Sequence, residues 1–318
     1  MEAKIDGHKN ATGLDAPARR PRISLRAWVV LRLALLLAPD QSRPGALQRG
    51  IADNRKAGIA HPPKRMLKRL DLKVERHDDG PVYRLTPRGG SSPALCLLYL
   101  HGSGYVMEMH AVQWKLVEGL MALTDAQVVA PMYPLAPEHC ALEGLDMVRR
   151  VYLGLVEQYG AGRIVVMGDS AGGGLALALA QMLRDAKEPL PAALVLFSPW
   201  LDVSVSGADQ PELERGDPAL AINFLREAGQ MWARDLPLDD PRVSPLFGDH
   251  TALPPTIVFA GTRDILCSDA RRLAERSTDA VIREYPEMMH VWPVAPIPEG
   301  RRALEEAAAF IHQHVARP

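Results

Sequence analysis

Gly-Asp-Ser170-Ala-Gly, at 168–172, stands between an apolar run, Ile164-Val165-Val166-Met167, and a small-residue helical stretch running from Gly173 to Leu179. A strand, a tight turn and a helix around G-x-S-x-G are what a nucleophile elbow requires. The glycines two before and two after the serine let the chain turn sharply and keep Cβ atoms away from the crowded backbone. Ser170 is therefore the candidate nucleophile. For the bare pattern, an ordinary Gly-rich loop ahead of a helix is the alternative.

A serine nucleophile needs a base, a carboxylate to orient that base, and N–H donors for the oxyanion. Upstream, the apolar run Pro93 to Leu100 ends in His101-Gly102-Ser103-Gly104-Tyr105, a loop of the HGGG type that presents backbone N–H groups. Downstream, Thr256 to Ala260 ends in Gly261-Thr262-Arg263-Asp264, which puts a carboxylate on a loop at a strand's C-terminal end. After a further strand-like run, Val281 to Tyr285, comes His290. Ser170 as nucleophile, Asp264 as orienting acid and His290 as general base follow the chain order that α/β-hydrolases use. Asp202 and Asp269 compete for the acid role. Asp202 comes too early for this order, and Asp269 is better read as a cap on the next helix. His101 reads as a prop for the oxyanion loop. His110, His139, His250, His312 and His314 lack a strand-end setting and read as solvated or core residues.

With these pieces in one order, the chain resembles the hormone-sensitive lipase family of α/β-hydrolase esterases. The match rests on His101 to Tyr105, Tyr133-Pro134-Leu135-Ala136-Pro137-Glu138-His139, Gly168 to Gly173, Ser198-Pro199-Trp200-Leu201-Asp202, Ser244-Pro245-Leu246, Asp264-Ile265-Leu266 and His290. It runs from about residue 90 to the C-terminus. The resemblance implies an oxyanion hole made by the N–H groups of Ser103, Gly104 and Ala171, and a carboxylester substrate. Two departures bear on the pocket. Ser103 stands where the family has glycine, and Val291-Trp292 follow the base where Gly-Phe is common. Tyr105, Met107 and Trp292, beside the oxyanion loop and the base, are the expected substrate contacts. Met107, Met109, Met132, Met288 and Met289 all fall next to these loops, and their grouping suggests a soft apolar pocket for short or medium acyl chains or a compact cyclic, terpene-like ester. A lactonase would use the same groups, and a binding protein that had lost catalysis is the rival outside enzymes.

The positioning elements fit an α/β-hydrolase fold: a mostly parallel central sheet with helices on both faces and a helical cap. Apolar strands are expected at about 95–100, 127–132, 163–167, 193–197, 256–260 and 281–285, alternating with helical stretches, after a leading hairpin of 70–76 and 82–85. At 318 residues and 47% apolar, the chain can bury one such domain plus a small cap. The domain is expected at 70–318, with a cap insertion at about 203–240.

The first 69 residues carry 15 Lys and Arg against 5 Asp and Glu, although the whole chain has a net charge of −1. Within this basic segment Leu25 to Ala38 reads as a cap helix stopped by Pro39, too short and too interrupted by Arg32 to span a bilayer. A lid that touches lipid is its alternative reading. Three cysteines, Cys96, Cys140 and Cys267, form no disulfide framework, which points to a reducing cytoplasm. Neither zinc spacing nor a phosphate or dinucleotide fingerprint occurs, so no metal or cofactor is expected. The partner expected is a small-molecule ester or lactone, with no nucleic acid; a homodimer is compatible with the sequence.

Overall fold

The computed structural model describes residues 23–37, 40–89 and 94–316. Its centre is built from short runs in which every residue is buried: β3 (Cys96–Leu100), β4 (Gln127–Pro131), β5 (Ile164–Asp169) and β6 (Ala193–Phe197). Continuous apolar runs of this kind suit strands covered on both faces. The leading hairpin is β1 (Leu70–His77) and β2 (Gly80–Pro87); the last two strands are β7 (Thr256–Arg263) and β8 (Ala280–Met289). Together they make one eight-stranded sheet in the order β1-β2-β4-β3-β5-β6-β7-β8. Only the β1–β2 and β2–β4 pairs are antiparallel.

Strand alternation divides the core in two. Cys96, Leu98, Leu100, Ile164, Val166, Leu194 and Leu196 face one side, where α4 (Ala141–Tyr159), α5 (Ala171–Asp185) and α8 (Cys267–Arg276) cover them. Leu97, Tyr99, Val165, Met167, Val195 and Phe197 face the other, under α3 (Gln113–Thr124) and α9 (Pro298–His314). The 203–240 stretch holds α6 (Gln210–Glu214) and α7 (Ile222–Ala233). Two helices precede the sheet, α1 (Leu25–Leu37) and α2 (Ala46–Ala57). Residues 1–22, Ala38 and Pro93, which the sequence reading included, lie outside the described residues.

β7 and β8 both run on past their apolar stretches, to Arg263 and Met289. β8 continues past Tyr285 through Met289, because a bulge opposite Gly261 and Arg263 lets the pairing resume at Arg263 and Met289. The extension delivers His290 immediately beyond the last paired residue.

Candidate active site

Ser170 sits at the junction of β5 and α5 with φ 54° and ψ −123°, a conformation few side-chain-bearing residues adopt. Two glycines make that turn sterically feasible. A Cβ at Gly168 would lie 2.2 Å from the carbonyl oxygen of Gly172, and one at Gly172 would lie 2.0 Å from that of Leu100. Crowding of backbone on backbone, rather than a need for positive φ, explains both.

Ser170 and His290 line the same cavity, of about 260 Å³. Behind the imidazole, His290 Nδ1 lies 2.9 Å from Oδ2 of Asp264, which is fully buried. The other carboxylate oxygen accepts the Leu266 N–H at 2.9 Å. Burial alone would depress the His290 pKa, but the Asp264 charge and hydrogen bond outweigh it and hold the value above 6.5. The structure thus brings Ser170, His290 and Asp264 together, though they are spread over more than a hundred residues of sequence.

Ser103 and Gly104 line the same cavity, both in the left-handed region, with φ 85° and 68°. Ala171, the first residue of α5, carries one of the N–H groups that a helix leaves unpaired at its start. The loop is held from beneath. His101, fully buried, bonds the Gly102 carbonyl through Nδ1 at 2.8 Å and stacks on Tyr133, whose hydroxyl donates to the His101 carbonyl at 2.7 Å. Burial pushes the His101 pKa down to about 4, so the ring is neutral at ordinary pH and acts as a prop.

Asp169, which reads from sequence as a turn residue, does more than turn the chain. Its carboxylate accepts the Gly102 N–H at 3.1 Å, the Tyr99 hydroxyl at 2.5 Å and the Gln113 amide at 2.9 Å. One side chain therefore ties the serine's own turn to the oxyanion loop. Burial raises its pKa, while these donors oppose the rise.

The remaining walls are apolar: Met107, Val112, Leu220, Phe224, Leu225, Val291 and Val294, with Gln41, His110 and Gln113 at the polar margin. Of the expected substrate contacts only Met107 lines the cavity. Tyr105 is buried in a stack, its ring 4.4 Å from that of Trp232 and parallel to it, with Trp200 on the other side at 5.6 Å. Trp292 turns into the opposite core against Tyr285, since Val291 takes up a left-handed conformation just before it. Met109, Met132 and Met288 also belong to that core and Met289 packs against it, so of the methionines near the loops in sequence it is Met107 that reaches the cavity. Nor does α1 cover the mouth. It leans on α9 and β8 through Ala27 and Leu31, and among the described residues of the first 69 it is Gln41 that lines the cavity.

The rival carboxylates are committed elsewhere. Asp202 pairs with Arg272 at 2.7 Å and binds Ser204 and Ser206. Asp269 does not cap α8; it lies inside the first turn and accepts the N–H groups of Leu201 and Asp202. The carboxylate missed from sequence is Asp217. It binds Ala219 and Leu220 N–H groups and, across the site, the N–H of Ile265 at 2.9 Å, immediately after Asp264. Burial, with the Asp264 charge second, raises its pKa to about 7. The Asp217-Pro218 pair, a turn signal, was its visible trace. His110, placed among solvated or core histidines from sequence, is at the cavity wall.

Three comparisons bear on this geometry. The sequence matches the alpha/beta hydrolase fold family over residues 97–294. It is 38% identical over 224 residues to an acetyl-hydrolase of Streptomyces hygroscopicus, covering 68% of this chain and 74% of that protein. An esterase of Acinetobacter venetianus is 32% identical over 232 residues, 69% of this chain and 75% of that protein. Among solved structures, an esterase from the bacterial hormone-sensitive lipase family superposes with a TM-score of 0.79 at 26% identity, over 92% of this chain and 99% of the other. This chain belongs to the alpha/beta hydrolase fold family, among its hormone-sensitive lipase-like carboxylic ester hydrolases.

Proposed function

We propose that this chain is a serine carboxylesterase for short-to-medium acyl or compact cyclic esters, working through a Ser170 acyl-enzyme. The observation that carries the reading is the His290–Asp264 pair at 2.9 Å, with His290 and Ser170 lining one small, mainly apolar cavity. His290 takes the Ser170 proton as the hydroxyl oxygen attacks the ester carbonyl. Asp264 keeps the proton on Nδ1, so that Nε2 is free to act as base, and then stabilises the imidazolium. The negative oxygen of the tetrahedral intermediate goes to the N–H groups of Ser103, Gly104 and Ala171. His290 then returns its proton to the leaving alcohol, and water repeats the sequence on the acyl-enzyme.

Size supports the short end of the substrate range. At about 260 Å³ the cavity falls below the roughly 300 Å³ at which drug-sized ligand sites begin. The acetyl-hydrolase relative points the same way. We further propose that the cap is formed by the 203–240 insertion and the part of the first 69 residues that follows α1, with Gln41, Leu220, Phe224 and Leu225 as its contribution to the wall. The test is a panel of p-nitrophenyl esters of rising acyl length, together with lactones, given to the wild type and to Ser170→Ala. Rates should peak at short acyl chains and fall about a millionfold in kcat in the variant. A variant retaining a few per cent of wild-type activity would show that Ser170 is not the nucleophile. Rates that climb steadily toward long-chain triglycerides would refute the size argument.

A further inference from the structure

The outward face of α1 is apolar where a surface helix is normally polar. Ala27 and Leu31 are buried against the body, whereas Leu25, Val29, Arg32 and Leu36, at spacings of four, three and four, run along the opposite side. Trp28 and Leu33 flank that stripe. Leu25 is 77% exposed and Leu36 78%, with Trp28, Val29 and Leu33 each above 40%. The Arg32 guanidinium lies over the Trp28 ring at 5.4 Å.

We infer that α1 is a docking helix for an anionic lipid surface, lying flat at the headgroup level. Charge favours this occupant over the others. From residue 16 to residue 39 the sequence holds five arginines and neither Asp nor Glu. A second copy of the chain would bring two such basic faces together, placing Arg32 of each against the other's apolar stripe. Residues 1–22 have too few large apolar side chains, Met1, Ile5 and Leu14, to cover the stripe. An anionic bilayer meets both requirements, taking up leucine and tryptophan below the headgroups and pairing the arginines with phosphate. A helix of 13 residues reaches about 20 Å, short of the roughly 30 Å hydrocarbon core, and among the described residues no helix is long and apolar enough to cross a membrane. Docking therefore lays the helix on the surface. Gln41, four residues beyond its end, is in the cavity wall, so the bound enzyme holds its mouth beside the lipid.

The chain carries its own reporter. Trp114, Trp200, Trp232 and Trp292 are fully buried, which leaves Trp28 as the tryptophan that a solvent change reaches. The full-length protein is mixed with vesicles of phosphatidylcholine alone, or of phosphatidylcholine with phosphatidylglycerol, and followed by sedimentation and tryptophan emission. The mixed vesicles should carry it down with a blue shift that Trp28→Phe removes, and added salt should weaken binding. Arg26→Gln with Arg32→Gln should lower partitioning about 25-fold, at roughly fivefold per arginine. Leu33→Ser with Leu36→Ser should abolish it. Hydrolysis of a water-soluble ester should be unchanged in all of these variants, which also shows that they fold. Absence of partitioning, equal binding to both vesicle types, or a dimer in sedimentation velocity that the leucine variants dissolve would each overturn the inference.

Discussion

Replacing Asp264 by asparagine tests the proposed mechanism at its least forgiving point, because two hydrogen bonds dictate how the new amide must sit. The Leu266 N–H needs an acceptor where Oδ1 now lies. If the amide oxygen stays there, its NH2 faces His290 Nδ1, which must then accept, and the ring proton moves to Nε2. In that tautomer His290 cannot take a proton from Ser170. Flipping the amide restores the tautomer but strands the buried Leu266 N–H, at about 1–3 kcal/mol, so only about one molecule in ten to one in a hundred is productive. Those molecules lack the carboxylate charge that stabilises the imidazolium. At about 4 Å and an effective dielectric constant of about 20, that charge is worth about 4 kcal/mol, or roughly a thousandfold. The product is a loss of about ten-thousandfold in kcat, in line with what such triads lose on this change. The assay is p-nitrophenyl acetate hydrolysis across pH, with circular dichroism to check the fold. The residual activity should also show its acid limb at lower pH than the wild type, since the charge that most opposes burial at His290 is then gone, leaving only the more minor pull of Asp217 and Asp169. A rate within tenfold of wild type, or an unmoved acid limb, would refute the assignment of Asp264 as the orienting acid.

In the wild type, His290 must be neutral to act as base. With its pKa held above 6.5, kcat/KM should fall on acidification around a midpoint higher than 6.5 in a pH–rate profile. Its contribution to stability runs the other way, present below the unfolded-state pKa and lost as pH rises through the folded one, which urea titrations at several pH values can follow. Gly172→Ala should cost at least about 4 kcal/mol, because the new Cβ would meet backbone oxygens of Leu100 and His101 at 2.0 and 2.6 Å; urea unfolding within 1 kcal/mol of wild type would contradict that packing. Phe224→Ala should shift preference toward longer acyl chains by at least about tenfold in relative kcat/KM, at a cost of about 3 kcal/mol in stability; an unchanged acyl profile would remove Phe224 from the acyl wall.

The elements whose chemistry is local were legible in the sequence. Strands buried on both faces appear as uninterrupted apolar runs, and Ser170 and Asp264 follow such runs, while His290 follows the edge strand β8, legible by its shorter apolar start, so their positions could be read along one dimension. What escaped depends on which way a side chain turns. Tyr105 and Trp292 lie beside the right loops but are rotated into the core, one by a stack between two tryptophans, the other by the backbone at Val291. The methionines failed for the same reason, since adjacency to a loop does not decide which face of the sheet a residue meets. For α1 the apolar run stopped by Pro39 gave the helix, while its neighbour, α9, lies more than 260 residues away in sequence.

The insertion between β6 and β7 shows how a segment without catalytic groups can still govern the site. Asp217, in its first half, binds the N–H groups of Ala219 and Leu220 with one oxygen and that of Ile265 with the other. Leu220 is in the cavity wall, and Ile265 follows the proposed acid. A shift of the wall is therefore transmitted to the backbone that carries Asp264. At its other end, Trp232 on α7 stacks flat on Tyr105, next in sequence to Gly104 of the oxyanion loop. The same insertion thus packs against both the loop of the proposed acid and the 101–105 loop, and Gly144 on α4 has no room for a Cβ because the Trp232 ring would lie 2.5 Å from it. Changes in α7 that leave every proposed catalytic group in place can therefore alter the spacing between His290 and the oxyanion donors. In a reaction where misplacement by about 1 Å costs on the order of a hundredfold, the proposed cap would then bear on rate as well as on substrate size.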